Sequence, residues 1–129
     1  MTNWTKKQQK KHRKLWIEAL RSGLYEQGTG FLRDINDNYC CLGVACEVAI
    51  KNGLQLEVVN NSKQYSYYNY TEYTPQVVMD YFGLTTKSGK YVQVNHEKHD
   101  SLAENNDMDN MSFAEIADII ENEPEGLFK

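Results

Sequence analysis

Apolar and basic residues recur at helical spacing over the first part of the chain. The pattern predicts a helix from about Lys6 to Ser22, and Gly23 ends it. One face is the predicted buried stripe, formed by Gln8, His12, Leu15, Trp16, Ala19 and Leu20. The opposite face carries the cations Lys6, Lys7, Lys10, Lys11, Arg13, Lys14 and Arg21. The pattern therefore indicates an amphipathic helix that docks through its Leu and Trp side chains and leaves a basic outer face.

A second amphipathic helix is predicted near the end of the chain. Ser112-Phe-Ala-Glu115 is a capping box, in which the serine and the glutamate side chains bond each other's backbone N–H groups. Pro124 ends the segment. Its predicted buried stripe consists of Phe113, Ile116, Ala117 and Ile120.

A hairpin followed by a helix is predicted after the first helix. We expect the hairpin over residues 31–42, with an Asp- and Asn-rich turn at 34–38, because these residues tolerate unusual backbone angles. The period then becomes helical over residues 43–52. Residues 54–73 are predicted to form irregular sheet. Their polar and apolar alternation is interrupted by a slip at Tyr67-Tyr68, which is typical of a strand pair or a bulge.

The remaining elements are short. Thr74 and Pro75 are predicted as the cap and first position of a helix over residues 76–82, ended by Gly83. A strand at 90–94 and a helical turn capped by Ser101 follow. This order predicts one α+β domain over residues 1–129, a β-hairpin or small antiparallel sheet packed by N-terminal, central and C-terminal helices.

Composition narrows the class of protein. The 129 residues are 40% hydrophobic and 25% charged, as in soluble globular domains. The longest apolar run, 42–50, is far shorter than the roughly 20 residues of a membrane span, so we expect no membrane partner. Three cysteines, two of them adjacent, favour reduced thiols and a cytoplasmic location.

Charge is divided unevenly along the chain. Residues 1–24 carry seven Lys or Arg against one acid, whereas residues 95–129 carry ten acids against two lysines. Three interpretations stay open: head-to-tail assembly into a homo-oligomer, pairing of the two ends within one chain, or a basic surface for an anionic partner.

The cysteines raise an enzymatic hypothesis. Cys41 lies near a predicted helix start, where the helix dipole favours the thiolate, and His96 or His99 would be the base of a papain-like cysteine hydrolase. The favoured alternative is that Cys40, Cys41 and Cys46 are structural and buried beside Leu and Val. Their spacing does not reproduce a zinc knuckle, so we predict no metal site.

A binding site for an anionic or nucleotide-like small molecule is the favoured functional hypothesis. Glycines in a tight loop expose backbone N–H groups, an arginine provides a planar fork for phosphate or carboxylate, and tyrosines provide stacking surfaces. We predict no cofactor and no catalytic residue. The predicted ligand-binding residues are Gln27, Gly28, Gly30, Arg33, Tyr39, Tyr65, Tyr67 and Tyr70.

Nucleic-acid binding is a weaker alternative. The basic face of the first helix and the tyrosine-rich segment 64–73 would combine phosphate contacts with base stacking. The net charge of −4 and the acidic helices after residue 101 are atypical of such a protein.

Several motifs resemble a small uncharacterised accessory protein that recurs in tailed-phage genomes. They are Trp16-Ile-Glu-Ala-Leu-Arg-Ser-Gly23, Tyr25-x-Gln-Gly-x-Gly-x-Leu-Arg33, Cys40-Cys-Leu-Gly-Val-x-Cys46 and Ser112-Phe-x-Glu-Ile-Ala-Asp118. The resemblance spans nearly the whole chain and implies a phage-encoded, non-virion protein of the host cytoplasm. Such proteins bind a host protein, inhibit a defence system or sequester a small molecule. The resemblance assigns no catalytic residue.

Overall fold

The computed structural model of the protein describes residues 4–93 and 99–129. Within these residues it contains five helices and three two-stranded sheets, an α+β arrangement as the sequence predicts. The helices are α1 (Lys6–Arg21), α2 (Cys41–Lys51), α3 (Gln76–Phe82), α4 (Leu102–Asp107) and α5 (Phe113–Glu121). The strands are β1 (Glu26–Gln27), β2 (Asn38–Tyr39), β3 (Val58–Asn60), β4 (Tyr65–Tyr67), β5 (Lys90–Val92) and β6 (His99–Ser101).

Local capping fixes several helix ends where the sequence predicts them. The capping box of α5 forms between Ser112 and Glu115, and the Ser101 hydroxyl accepts the Glu104 N–H at the start of α4. Gly23 follows α1 with φ +77°, a left-handed conformation that glycine adopts without steric cost. A second capping box, between Thr5 and Gln8, opens α1.

Two predicted boundaries are wrong. The Thr74 hydroxyl does not cap α3 but donates to the Lys87 carbonyl, and Pro75 occupies the cap position. Helix α2 begins at Cys41, two residues before the predicted start, with Cys40 as its cap. The sequence predicts the later start at Gly43 because the two cysteines continue the apolar pattern of the preceding predicted strand.

The expected hairpin over residues 31–42 is only partly formed. Arg33 and Tyr39 make an isolated antiparallel bridge, whereas β2 pairs in parallel with β1. Sheet β3–β4 is antiparallel, with Val59 opposite Ser66, and β5–β6 is antiparallel with Tyr91 opposite Asp100. The predicted strand at 90–94 is shorter, ending at Val92, and its residue 94 lies outside the described residues.

One core cluster joins α1, α2, α3, α4 and α5. It contains the predicted stripe of α5 and the side chains of Trp16 and Leu20 from α1. The predicted buried stripe of α1 is partly wrong. Gln8 is exposed and Leu15 is 36% exposed, whereas Arg13 and Ile17 are buried instead. Because α1 packs against α2, α3 and α5 together, its buried arc is rotated from the stripe that the sequence indicates.

Arg13 shows why a predicted outer-face cation is buried. Its guanidinium donates to the Phe82 carbonyl at 2.8 Å, pairs with Glu123 at 3.0 Å and lies over the Phe128 ring. Arg21 likewise pairs with Asp118 and Glu121 of α5. The basic and acidic ends of the chain are therefore paired within the molecule, the second of the three interpretations of its charge. Among the described residues no helix is long and apolar enough to cross a membrane.

Candidate functional site: a tyrosine lobe around Arg33

Residues 31–39 and 57–73 form a small unit beside the start of α2, which we call the tyrosine lobe. Asp34 bridges Gln64 in antiparallel fashion, and the Leu32 N–H donates to the Thr71 carbonyl at 2.7 Å. Together with β3 and β4, these contacts place three extended pieces of chain side by side. The expected slip at Tyr67-Tyr68 is a tight turn, since Tyr68 and Asn69 both have positive φ and Tyr67 bridges Tyr70.

The Asp- and Asn-rich turn is organised by Asp34. Its carboxylate accepts the backbone N–H groups of Asn36 at 2.9 Å and Asn38 at 3.0 Å. Burial works to raise the pKa of Asp34, but the hydrogen bonds from Asn38 and Asn36 outweigh it and lower this pKa. The turn presents Asp37, with φ +61°, toward Arg33.

Arg33 is held by internal partners. Its Nε donates to Asp37 Oδ1 at 2.9 Å, and its Nη1 lies 3.9 Å from Glu47 Oε2. The guanidinium stacks 3.8 Å from the centre of the Tyr65 ring, a cation–π contact. Its side chain is 20% exposed. Arg33 therefore faces carboxylates of its own chain rather than open solvent.

Two phenol groups beside Arg33, those of Tyr39 and Tyr67, have raised pKa values. The Tyr67 hydroxyl donates to Glu47 Oε2 at 2.8 Å inside the core. Burial, and then the Glu47 charge, raises the pKa of Tyr67 above its usual value. The same two causes raise the pKa of Tyr39 to about 12. The cluster contains one guanidinium and two carboxylates, those of Asp37 and Glu47, so its net charge is negative.

The structure brings four of the predicted ligand-binding residues into this cluster: Arg33, Tyr39, Tyr65 and Tyr67. Tyr70 belongs to the lobe but its ring is exposed. Glu47 was not among the predicted residues. Its position in a helix of apolar residues, four positions before Lys51, gave no sign that it faces Arg33.

The glycine loop already uses part of the hydrogen-bonding capacity that the sequence suggested for an anion. The Gly28 N–H donates to the Tyr39 carbonyl at 2.8 Å, and the Gln27 amide donates to Asn106 and to the Met111 carbonyl. Gly30 lines a separate cleft of about 200 Å³, whose charged side chains are all acidic: Glu72, Glu104 and Asp107. The loop is thus engaged in holding α4 rather than in contacting an anion beside Arg33.

A buried asparagine pair fixes that loop, and the sequence reading missed it. Asn106 Oδ1 accepts from Gln27 Nε2 and from the Cys41 N–H, while its Nδ2 donates to the Gly28 carbonyl. The neighbouring Asn105 accepts from the Tyr91 hydroxyl at 2.7 Å. An Asn-Asn pair in a short acidic helix has no apolar period, so no sequence signal indicates that it is buried.

The cysteines lie inside the core, as the favoured interpretation predicts. Cys40, Cys41 and Cys46 are buried free thiols, and Cys41 Sγ contacts the Leu102 carbonyl at 3.5 Å. Burial raises the pKa of Cys40 to about 12 and also raises those of Cys41 and Cys46. Desolvation therefore outweighs the helix dipole at Cys41. Of the two proposed bases, His96 lies outside the described residues and His99 is placed in β6.

We expect the three thiols to resist modification in the native protein. At neutral pH a disulfide reagent such as Ellman's reagent should react with them only as fast as the protein unfolds, because buried thiols with raised pKa values carry almost no thiolate. In guanidinium chloride all three should react at once. Rapid native labelling of Cys41 would contradict this expectation and restore the hydrolase hypothesis.

The basic face of α1 is smaller than the sequence suggests. Arg13 and Arg21 pair with acids near the end of the chain, and Lys10 lies 3.9 Å from Glu123. Four exposed lysines remain without an ion pair among the described residues: Lys6, Lys7, Lys11 and Lys14. This leaves the nucleic-acid alternative with a smaller basic surface than the sequence predicts.

Comparison with known proteins defines the class of the chain. A family model described as "Domain of unknown function (DUF8296)" matches residues 7–124, and the chain belongs to this family. The match covers α1 to α5 and therefore includes the tyrosine lobe and the core that supports it. No curated protein and no solved structure matches the chain.

Proposed function

We propose that this protein is a non-catalytic binding protein and that its partner is another protein, which docks on the tyrosine lobe. The observation that carries the proposal is the concentration of exposed apolar and aromatic side chains there. Such side chains, tyrosine in particular, are enriched at protein interfaces. They are Ile35, Val58, Val59, Tyr68, Tyr70 and Tyr73.

The lobe also has a strand edge at β3, which pairs with β4 alone among the strands of the described residues. The Tyr68 N–H donates to the Glu57 carbonyl and the Asn61 N–H to the Gln64 carbonyl, so these are the hydrogen-bonded pairs of the β3–β4 ladder. By the antiparallel alternation, Val58 therefore directs its N–H and C=O away from β4. An extended segment of a partner fits this edge as an added strand, with side chains resting on the exposed tyrosines.

Charge identifies the kind of partner. The lobe carries the carboxylates of Asp34, Asp37, Glu57 and Glu72 against the cations of Arg33 and Lys63. A partner surface with Lys or Arg residues is attracted to this charge and can stack a cation on an exposed tyrosine ring. A second copy of this chain would bring the same negative charge to the contact, which disfavours self-association through the lobe.

The biological setting that we propose is the cytoplasm of a phage-infected host, where the protein binds a host protein and inhibits a defence system. This part rests on the sequence motifs that resemble a tailed-phage accessory protein.

A second candidate is capture of an anionic or nucleotide-like small molecule by Arg33. The observation that favours it is the stacking of the guanidinium on Tyr65, which holds the arginine fork flat and oriented. Asp37, the partner that an anion would have to displace, has a side chain that is 57% exposed. The fixed carboxylate of Glu47 opposes an anion, and for this reason we rank the candidate second.

The test is native mass spectrometry and hydrogen exchange on tagged protein recovered from host extract. We compare the wild-type chain with a Tyr68→Ser/Tyr70→Ser variant, which alters exposed lobe side chains, and with Leu24→Ser, which alters an exposed apolar side chain outside the lobe. A partner retained by the wild type and by Leu24→Ser, but lost from the lobe variant, supports the proposal. Protection of residues 57–68 by the purified partner supports it further.

Other outcomes separate the alternatives. Recovery of no protein partner, or equal recovery by the lobe variant, contradicts the proposal. A retained small anion that is lost in Arg33→Lys, with the fold intact, identifies the second candidate, because a point charge cannot reproduce the two parallel bonds of arginine. Loss of binding only in Lys11→Ala/Lys14→Ala would place the working surface on α1.

A further inference from the structure

A cleft separate from the tyrosine lobe lies where the start of α1, the end of α2 and the start of α3 meet. Its volume is about 470 Å³, within the range of small-molecule sites. The walls are Trp4, Asn52, Leu54, Gln55, Val77 and Asp80.

Trp4 is held in place by a rigid stack of rings. The His12 ring stacks on the Tyr81 ring with centroids 3.7 Å apart, and its Nδ1 lies 2.6 Å from the Tyr81 carbonyl. The Trp4 indole packs edge-on against both rings, at 4.8 Å from His12 and 5.1 Å from Tyr81. The indole is half-buried, so the stack fixes an aromatic wall at the mouth of the cleft before any ligand arrives.

The other walls supply apolar surface and one charge. Val77, near the start of α3, is 42% exposed, and Leu54 packs beside the core. Asp80 is the charged wall residue: its Oδ1 accepts from Gln76 Nε2 at 2.9 Å, which orients the carboxylate. The side-chain amides of Asn52 and Gln55 add hydrogen-bonding groups. Among the residues that the structure describes, no lysine, arginine or histidine lines the cleft.

We propose that this cleft binds a small organic cation, an ammonium group on a short apolar body. The indole of Trp4 and the carboxylate of Asp80 together recognise the positive charge. Val77 and Leu54 contact the apolar part. An anion would meet Asp80 without a compensating cation, and a neutral apolar molecule would leave the carboxylate without a cationic partner.

Intrinsic fluorescence gives a direct test. The chain has two tryptophans, and Trp16 is fully buried, so a ligand in the cleft changes the emission of Trp4. We titrate the full chain with n-butylammonium chloride, and in parallel with 1-butanol in sodium chloride of equal ionic strength. We expect a saturable change with the ammonium compound and none with the alcohol over the same range.

Two variants test whether the fluorescence change arises from binding in the cleft. Asp80→Asn should weaken n-butylammonium binding by about tenfold, since it removes a charge-assisted contact. Glu104→Gln, an equal charge change at an exposed residue that lines a different cleft, should leave it unchanged. In the wild type and in the control variant, n-butylammonium should change amide chemical shifts only within residues 52–55 and 76–80.

Three results would overturn the inference: an equal response to butanol, unchanged affinity in Asp80→Asn, or no saturable signal at millimolar ligand. If Asp80→Asn alters the far-ultraviolet circular dichroism, the amide shifts of the wild-type chain decide alone. Failure here leaves the lobe proposal standing, because the two surfaces share no residue.

Discussion

Replacing Gly43 with alanine should destabilise the protein by about 3 kcal/mol or more, although alanine is the better helix former. A Cβ at this position would lie 1.7 Å from the Leu32 carbonyl oxygen and 2.6 Å from its carbon. These are backbone atoms, and the same oxygen accepts the Cys40 N–H, so they cannot rotate away. The overlap must separate α2 from the tyrosine lobe. The free-energy cost of this overlap outweighs the roughly 1 kcal/mol by which alanine stabilises a helix relative to glycine.

Urea unfolding followed by circular dichroism measures this change. Gly23→Ala is the matched control: it has open space around the added carbon, so only its positive φ opposes alanine, at a cost of about 1 kcal/mol. Gly43→Ala should be clearly the less stable of the two. Equal stability would show that the 31–33 segment is not packed against α2.

Trp16→Ala should remove about 3–5 kcal/mol of stability, a large share of what a domain of this size possesses. The side chain is 0% exposed and lies 5.0 Å from the Phe82 ring, so its loss leaves a cavity between α1 and α3. Its Nε1 also donates to the Cys41 carbonyl at 3.0 Å. Differential scanning calorimetry should show a melting temperature lower by on the order of 10 °C.

Trp16→Phe separates the two contributions. It keeps an aromatic ring in the core and loses the hydrogen bond, which contributes about 1 kcal/mol, so it should lie between the wild type and Trp16→Ala. Stability unchanged in Trp16→Ala would falsify the docking of α1 on the core. The helix would then be a detached basic arm, and nucleic acid would become the favoured partner.

Gly43 also accounts for part of the Cys-Cys-Leu-Gly-Val motif that the sequence analysis singled out. Cys40 caps α2, Cys41 and Leu42 are fully buried, and Gly43 admits the Leu32 backbone. The motif therefore describes a packing junction. Residue types that resemble a catalytic signature have here a structural role, because burial suppresses ionisation of the thiols.

The sequence by itself determined the features that depend on groups within a few residues of each other. The capping box at Ser112, the cap at Ser101, the glycine stop after α1 and the span of α3 all appear where predicted. Each rests on hydrogen bonds or backbone preferences local to the chain, so an amino-acid pattern is enough to specify it. The apolar stripe of α5 follows for the same reason, since that helix buries one face.

Only the tertiary structure decided what surrounds each polar side chain. Arg13, predicted on the outer face of α1, is buried because α3 and Glu123 approach it from distant parts of the chain. Arg33, predicted to bind an anion, is paired with Glu47 from α2. Asn106 joins α4 to β1 and α2. These partners lie between 14 and 110 residues apart in the chain. A sequence pattern does not indicate which distant groups folding brings to hydrogen-bond distance.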